Sequence, residues 1–314
     1  MSYIEIENIY KSFDKKTVLS NVSLSIETGD RFGLIGPNGA GKTTLIDIIT
    51  AIIGADSGTV TVNGDTIPHN LVEIRKQIGF VPQEIALLDS LNARNNLEYF
   101  GGLYGLSGTL LKERIDEALK AVGLEDTGKK KVNKFSGGMK RRLNIACAIL
   151  HHPKFLILDE PTVGVDPQSR NKIFEFILEM NEKHNTTILY TSHYMEEVEN
   201  LCNKIFIIDE GKEIAYGSKE EIKSLVQDNI KWVLEVSNIQ SSNFTDKLSN
   251  MVNGVLQVSE DNNSYHLVVD SESFRSNDLL NFLQEENIEF ISLSKEEISL
   301  EEAFLQLTGK TLRD

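Results

Sequence analysis

Residues 31–50, RFGLIGPNGAGKTTLIDIIT, run from an apolar strand through a glycine-rich turn into a helix with an apolar side. Phe32, Leu34 and Ile35 supply the strand, and Leu45, Ile46, Ile48 and Ile49 line the helix. Between them Gly36-Pro37-Asn38-Gly39-Ala40-Gly41-Lys42-Thr43 meets the G-x-x-x-x-G-K-[ST] pattern in the strand-to-helix setting that gives the pattern its meaning. Glycines let successive backbone N–H groups curl inward, so amide dipoles and the helix N-terminus converge on a phosphate-sized anion. Lys42 is expected to set a compact positive charge against the β- and γ-phosphates, and the Thr43 hydroxyl to be a ligand to Mg²⁺. Thr44 is expected to add an α-phosphate contact. Nucleotide binding follows, although the loop alone does not separate a kinase, a GTPase and a transport motor.

Bulk properties narrow the choice. A chain of 314 residues can build one large core and a smaller domain. Its formal net charge of −15, from 47 acidic and 32 basic residues, repels nucleic acid unless a local basic patch intervenes. Lys129-Lys130-Lys131 is too short a run for that and reads as a solvated helix end or loop, so no nucleic-acid partner is expected. The two cysteines, Cys147 and Cys202, sit far apart in apolar segments and read as reduced core residues. The start, MSYIEIENIYKSF, is too polar for a signal peptide, and no apolar run approaches the ~20 residues that span a bilayer. Work at a membrane would need another polypeptide to cross it.

Ile4 and Ile6 alternate with Glu5 and Glu7, and Val22, Leu24 and Ile26 with Ser23, Ser25 and Glu27, as in strands with one wet face. With Thr59-Val60-Thr61-Val62 they predict an antiparallel sheet beside the nucleotide core. Phe13, in the turn after the first strand, is poorly placed for burial and well placed to stack on adenine. Ile78-Gly79-Phe80-Val81-Pro82 is a strand closed by proline, with Gln83 at its carboxyl end, the edge where open sheets bind ligands. An amide there can coordinate Mg²⁺ or hold water. Residues 92–106 and 111–122 turn to helical spacing and predict an α-helical insertion.

A second chemical cluster follows. Phe135-Ser136-Gly137-Gly138 precedes a helix predicted over 139–150, with Ser136 a good N-cap and the glycines baring unpaired N–H groups to an anion. Phe155-Leu156-Ile157-Leu158-Asp159-Glu160 is a buried strand ending in two carboxylates, which strand alternation assigns to different faces. An aspartate at such a place supports Mg²⁺ and an adjacent glutamate can polarise water. Asp166 lies in the next turn. Thr187-Ile188-Leu189-Tyr190-Thr191 is another buried strand, with Ser192-His193 at its end; His193 can donate to a γ-phosphate or to the attacking water, or merely cap. His151-His152 reads as surface loop.

In this order and spacing the motifs of residues 1–223 resemble the nucleotide-binding subunit of an ATP-binding-cassette (ABC) transporter. Residues 36–44 are similar to that family's phosphate loop, Gln83 to its glutamine loop, Phe135-Ser136-Gly137-Gly138-Met139 to its signature, Val163-Gly164-Val165-Asp166 to its D-loop, His193 to its switch histidine and Phe13 to its adenine-stacking aromatic. The resemblance implies a P-loop NTPase core of α/β class with an antiparallel β lobe and an α-helical insertion over 88–134. It implies ATP and Mg²⁺ as ligands and a head-to-tail dimer, a homodimer in the simplest case. Asp159 then helps hold Mg²⁺, Glu160 is the general base, and Ser136, Gly137 and Gly138 grip the γ-phosphate of the opposite site. Phe135 and Met139 depart from the usual leucine and glutamine, and FSGGM followed by KRRL is similar to bacterial drug, antibiotic and lipid exporters. Asn95 stands where those exporters commonly carry glutamate.

After Asp228 the pattern changes. Trp232, Leu234 and Val236 alternate, Leu267 and Val269 belong to another run, residues 279–283 look helical, 288–293 extended and 299–307 helical. A small α+β domain over 229–314 is expected after a cassette over 1–228. Glu285, Glu286, Glu296, Glu297, Glu301 and Glu302 read as a solvated acidic face. The resemblance therefore implies an ATPase on the cytoplasmic face of the membrane that powers a separate multi-span subunit, in the export direction. A soluble ABC-type ATPase that remodels ribosomes or DNA, and a nucleotide-responsive regulatory or resistance module, are the alternatives.

Overall fold

The computed structural model describes residues 2–14, 16–226, 230–237, 243–261, 264–270, 273–296 and 298–309. Two compact units divide the chain, Met1–Ile222 with Phe304–Asp314 and Lys223–Ala303. The boundary expected at Asp228 lies outside the described residues, as does Glu297.

In chain order the first unit begins with β1 (Ser2–Phe13), β2 (Lys16–Glu27), β3 (Arg31–Ile35), α1 (Lys42–Ile49), β4 (Ser57–Val62), β5 (Asp65–Thr66), α2 (Leu71–Gln77) and β6 (Ile78–Val81). It continues with α3 (Ala93–Leu103), α4 (Gly108–Ala121), α5 (Gly137–Ile149), β7 (Phe155–Leu158), α6 (Pro167–His184), β8 (Thr187–Tyr190), α7 (Met195–Leu201), β9 (Lys204–Asp209) and β10 (Lys212–Gly217), and α8 (Lys219–Ser224) begins in it. One sheet, ordered β2-β1-β4-β5, is antiparallel, and the alternation in β1 does what it predicts: Ile4 and Ile6 are buried while Glu5 and Glu7 face water. The other is ordered β10-β9-β3-β8-β7-β6, parallel except for the β10 edge. Helices on both faces require near-continuous apolar strands, and every residue of β7 and β8 is buried. Leu45, Ile46 and Ile49 of α1 share one apolar cluster with Ile4 and Ile6 of β1 and Phe32 and Leu34 of β3. That packing welds the helix after the glycine loop to both sheets.

The helical insertion is α3 and α4. Asn92 caps α3 by accepting from the Asn95 N–H, and Leu97 is fully buried. Cys147 and Cys202 are buried and free, as expected. His151 is not surface loop: its ring stacks on Tyr104 at 3.7 Å, its Nε2 lies 3.1 Å from the Ile78 carbonyl, and burial lowers its pKa to about 4. A neutral imidazole is an apolar plate with one donor, which fits the seam between the end of α3 and the sheet.

The second unit holds β11 (Ile230–Ser237), α9 (Phe244–Met251), β12 (Val255–Asp261), β13 (Ser264–Val269), α10 (Ser276–Glu285) and β14 (Glu289–Glu296), and α11 (Leu300–Thr308) follows. Its antiparallel sheet is ordered β12-β13-β11-β14, the split βαβ arrangement of a β-α-β-β-α-β chain. Leu234, Val236 and Leu267 of the sheet bury against Phe244, Leu248 and Phe282 of α9 and α10. Trp232 packs on that core, with its ring 6.1 Å from Phe274.

Candidate active site

Four parallel strands, β3, β6, β7 and β8, end on the same edge of the sheet, and each of the following segments brings one chemical group there. After β3 comes the glycine loop. Gly36 passes so close to β9 that a Cβ would meet the Ile208 carbonyl oxygen at 2.1 Å. Gly41 has φ +108 and a Cβ there would meet Leu19 Cδ2 at 2.7 Å, so both positions demand glycine. Pro37 and Ala40 are buried, whereas Asn38, Gly39 and Thr43 are open to solvent and Thr44 is half-buried. Lys42 is buried, and its Nζ donates to the Gly36 carbonyl at 2.6 Å and to the Pro37 carbonyl at 3.2 Å. Burial lowers its pKa, and the carboxylates of Glu160 and Asp159 act in the opposite direction.

After β7 come the two carboxylates, both buried. The structure corrects the expected alternation: the strand ends at Leu158, and Glu160 has φ +48, the left-handed conformation that non-glycine residues avoid. Thr191, just past β8, settles the arrangement. Its hydroxyl donates to Asp159 Oδ1 at 2.7 Å and accepts from the Glu160 N–H at 2.9 Å. The Glu160 carboxylate is then gripped on both oxygens, Oε2 accepting from Gln83 Nε2 at 2.6 Å and Oε1 lying 2.6 Å from His193 Nε2. A carboxylate oxygen can only accept, so a ring proton of His193 sits on Nε2, facing Glu160. Burial raises the Glu160 pKa; His193 opposes this, Asp159 adds to it and Lys42 opposes. A carboxylate of raised proton affinity, held between an amide and an imidazole, is suited to draw a proton from water.

The remaining predicted residues lie nearby in chain or space. Ser136 caps α5, accepting from the Met139 N–H at 3.2 Å, and Ser136 and Gly137 are exposed. Gly138 is buried against the next motif, since a Cβ there would meet Ser169 Oγ at 2.6 Å and Asp166 Oδ2 at 3.0 Å. Asp166 caps α6 through the Ser169 N–H, which also holds its carboxyl below the usual range. Phe13 stands exposed at the end of β1 with the Lys11 ammonium 5.2 Å from its ring centre.

Sequence reading missed three groups. Thr191 was legible only as a strand residue. Arg141 of α5 is buried and donates to the carbonyls of Pro82 and Gln83. Glu197 of α7 is buried, and its Oε2 accepts from the hydroxyls of Thr162, Tyr190 and Ser192, tying the segments after β7 and β8 together. The available signal was a carboxylate among the apolar Met195, Val198 and Leu201.

Thr43, Asp159 and Gln83 offer hydroxyl, carboxylate and amide oxygens, the hard donors that Mg²⁺ selects. Among the described residues no group of three or more His, Cys, Asp or Glu could hold a metal.

The family model described as ABC transporter matches residues 19–163. The chain is 43% identical to the linearmycin resistance ATP-binding protein LnrL of Bacillus subtilis (strain 168), across 99% of this chain and 100% of that one. It is 34% identical to the Nod factor export ATP-binding protein I of Paraburkholderia xenovorans (strain LB400), over 99% and 98% of the two chains. Among solved structures, the dimeric structure of MJ0796, a bacterial ABC transporter cassette, matches with TM-score 0.63 and 28% identity, over 68% of this chain and 98% of that one. Two full-length relatives above 30% identity, and a phosphate loop whose neighbouring strands deliver Gln83, Glu160 and His193, lead to one statement: the chain belongs to the ATP-binding, ATP-hydrolysing subunits of ABC transporters.

Proposed function

We propose that two copies of the chain close head to tail on two ATP molecules and drive an exporter whose membrane pathway is a separate subunit. The observation that carries this reading is the Glu160 carboxylate, buried and held by Gln83 and His193 on the sheet edge that also presents Lys42. In each site the loop from Gly36 through Pro37, Asn38, Gly39 and Ala40 to Gly41 wraps the phosphates. Lys42 leaves its own loop's carbonyls for the β- and γ-phosphates, and Thr44 touches the α-phosphate. Phe13 stacks on adenine. Thr43, Asp159 and Gln83 face Mg²⁺, which when bound neutralises developing phosphate charge. Glu160 takes a proton from the attacking water, and His193 holds the γ-phosphate side of that water. Ser136, Gly137 and Gly138 of the partner complete the anion cage, with Asp166 lining the interface. The dimeric structure of the related MJ0796 cassette supports this arrangement.

The membrane subunit docks on a groove of about 510 Å³ lined by Ile52, Val72, Phe80, Leu103 and Tyr104. Ile52, Val72 and Leu103 leave more than half of their surface in water, an apolar patch that a membrane subunit's amphipathic segment can cover. Tyr99 is also exposed, whereas Leu97 belongs to the core. Among the described residues no helix is long and apolar enough to cross a membrane. The names of the relatives, one for linearmycin resistance and one for Nod factor export, support outward transport and make a linearmycin-like antibiotic the first cargo to test.

Vesicles carrying the purified complex test the proposal. Labelled cargo should move only with Mg-ATP and intact Glu160. Robust ATP hydrolysis by a chain that recovers no multi-span partner from its own membranes would favour a soluble ATPase instead.

A further inference from the structure

Residues 82–91 join β6 to α3 without regular structure, so their backbone groups need partners elsewhere. Neighbouring helices supply them. From α5, Arg141 Nη1 donates to the Pro82 carbonyl at 2.8 Å and Nη2 to the Gln83 carbonyl at 2.6 Å. One residue earlier, Lys140 Nζ reaches Asp89 Oδ1 at 2.9 Å. From α3, Asn96 accepts the Leu88 N–H at 2.8 Å and donates to the Leu88 carbonyl at 3.1 Å. Gln83 therefore rides on α5 as much as on β6.

Arg141 is an odd choice for a merely structural peg. It is 4% exposed, and its two acceptors are neutral carbonyls. Burial works against its charge, with Asp159 and Glu160 opposing from the site. A planar fork that fixes two successive carbonyls at once defines the loop's orientation in a way that a single ammonium donor cannot.

We propose that Arg141 is a positioning residue that couples the two nucleotide sites of the dimer. The proposal rests on the ATP sandwich argued above. Helix α5 is capped by Ser136, whose anion is the ATP held by the partner's phosphate loop. Arg141, little more than a turn further along α5, grips Gln83, and the Gln83 side chain grips Glu160 Oε2 at 2.6 Å in this protomer's own site. One rigid helix thus connects the seating of one nucleotide with the placement of the carboxylate that acts on the other. Binding to an isolated phosphate loop does not use this connection; turnover in the closed dimer does.

The test compares the full-length wild type, R141Q and R141K by fluorescent ATP-analogue titration at monomer concentrations, by ATPase rate against ATP concentration, and by thermal melting. Wild type should show a Hill coefficient above one. R141Q should keep nucleotide affinity within about twofold, lose about tenfold in kcat, and show a Hill coefficient near 1. R141K, able to hold one carbonyl but not both, should fall between, and it carries the same readouts if R141Q fails to fold. A wild-type Hill coefficient retained in R141Q, or losses of affinity and melting temperature that account for all the lost rate, would overturn the coupling. Sedimentation of E160Q with Mg-ATP separates the two levels. A dimeric E160Q with uncoupled predictions unmet sinks the role of Arg141 alone, and a monomeric one sinks the sandwich and the coupling with it.

Discussion

Asp159 and Glu160 are neighbours in sequence with different surroundings. Asp159 is bonded to the Thr191 hydroxyl, while Glu160, turned into the left-handed region, meets Gln83 and His193. Asp159→Asn should therefore weaken Mg-dependent nucleotide affinity more than Glu160→Gln does, and E160Q should lower kcat by about two orders of magnitude with binding retained. Equal affinity losses in a fluorescent-ATP titration would defeat that division of labour. The raised Glu160 pKa also fixes two pH trends. The ATPase rate should fall with acidification at a pH above that of an ordinary glutamate, as the base becomes protonated. For stability, the folded chain binds this proton more tightly than the unfolded one. The favourable contribution is full below the ordinary value of 4.5 and is lost as pH rises through the folded pKa. E160Q, uncharged throughout, should then melt above wild type at neutral pH, with the gain shrinking in acid. A lower melting temperature at neutral pH would contradict the burial argument. The identities of these residues were readable from the motif, but the positive φ of Glu160 was not. Strand alternation assumes an extended chain through residue 160, and only the Thr191 hydroxyl, 31 residues away, shows that the chain turns.

At the scale of elements, the buried strands and the glycine loop were legible because parallel strands covered on both faces are apolar throughout and because glycine is forced at Gly36 and Gly41. The second unit was less so. β11, β13, α10 and β14 announced themselves by period, whereas α9 and the largely exposed β12 did not, and the order β12-β13-β11-β14 depends on pairings between distant segments. The three hydroxyls converging on Glu197 were likewise invisible, since no local period marks a contact between segments. The tie between β7 and β8 makes a prediction. Thr191→Val keeps the shape but strips the bridge from Asp159 and the Glu160 N–H, so it should cost about 1–3 kcal/mol in urea unfolding and slow hydrolysis. Unchanged stability and rate would mean that Asp159 and Glu160 are held by packing alone. For the groove, Leu103→Arg should abolish co-purification with the membrane subunit while leaving nucleotide binding intact, because Leu103 is 68% exposed and lies outside the ATP site. Retained association would move the docking site elsewhere.

For the whole molecule, the division into Met1–Ile222 with Phe304–Asp314 and Lys223–Ala303 separates the chemistry from a second fold. All the residues assigned to ATP lie in the first unit, and the insertion connects Gln83 to Ser136 along the chain. Force should therefore pass to the membrane subunit through the insertion, and cysteine cross-linking scanned over residues 88–106 should find that subunit. Productive cross-links only beyond residue 230 would place the route in the second unit. The central claim is that ATP is sandwiched between two copies and that Glu160 ends that state by hydrolysis. Sedimentation velocity of full-length E160Q tests it most directly: the account predicts a dimer with Mg-ATP and a monomer with Mg-ADP or without nucleotide, and a protein that stays monomeric at saturating Mg-ATP, alone and with its membrane subunit, would contradict it.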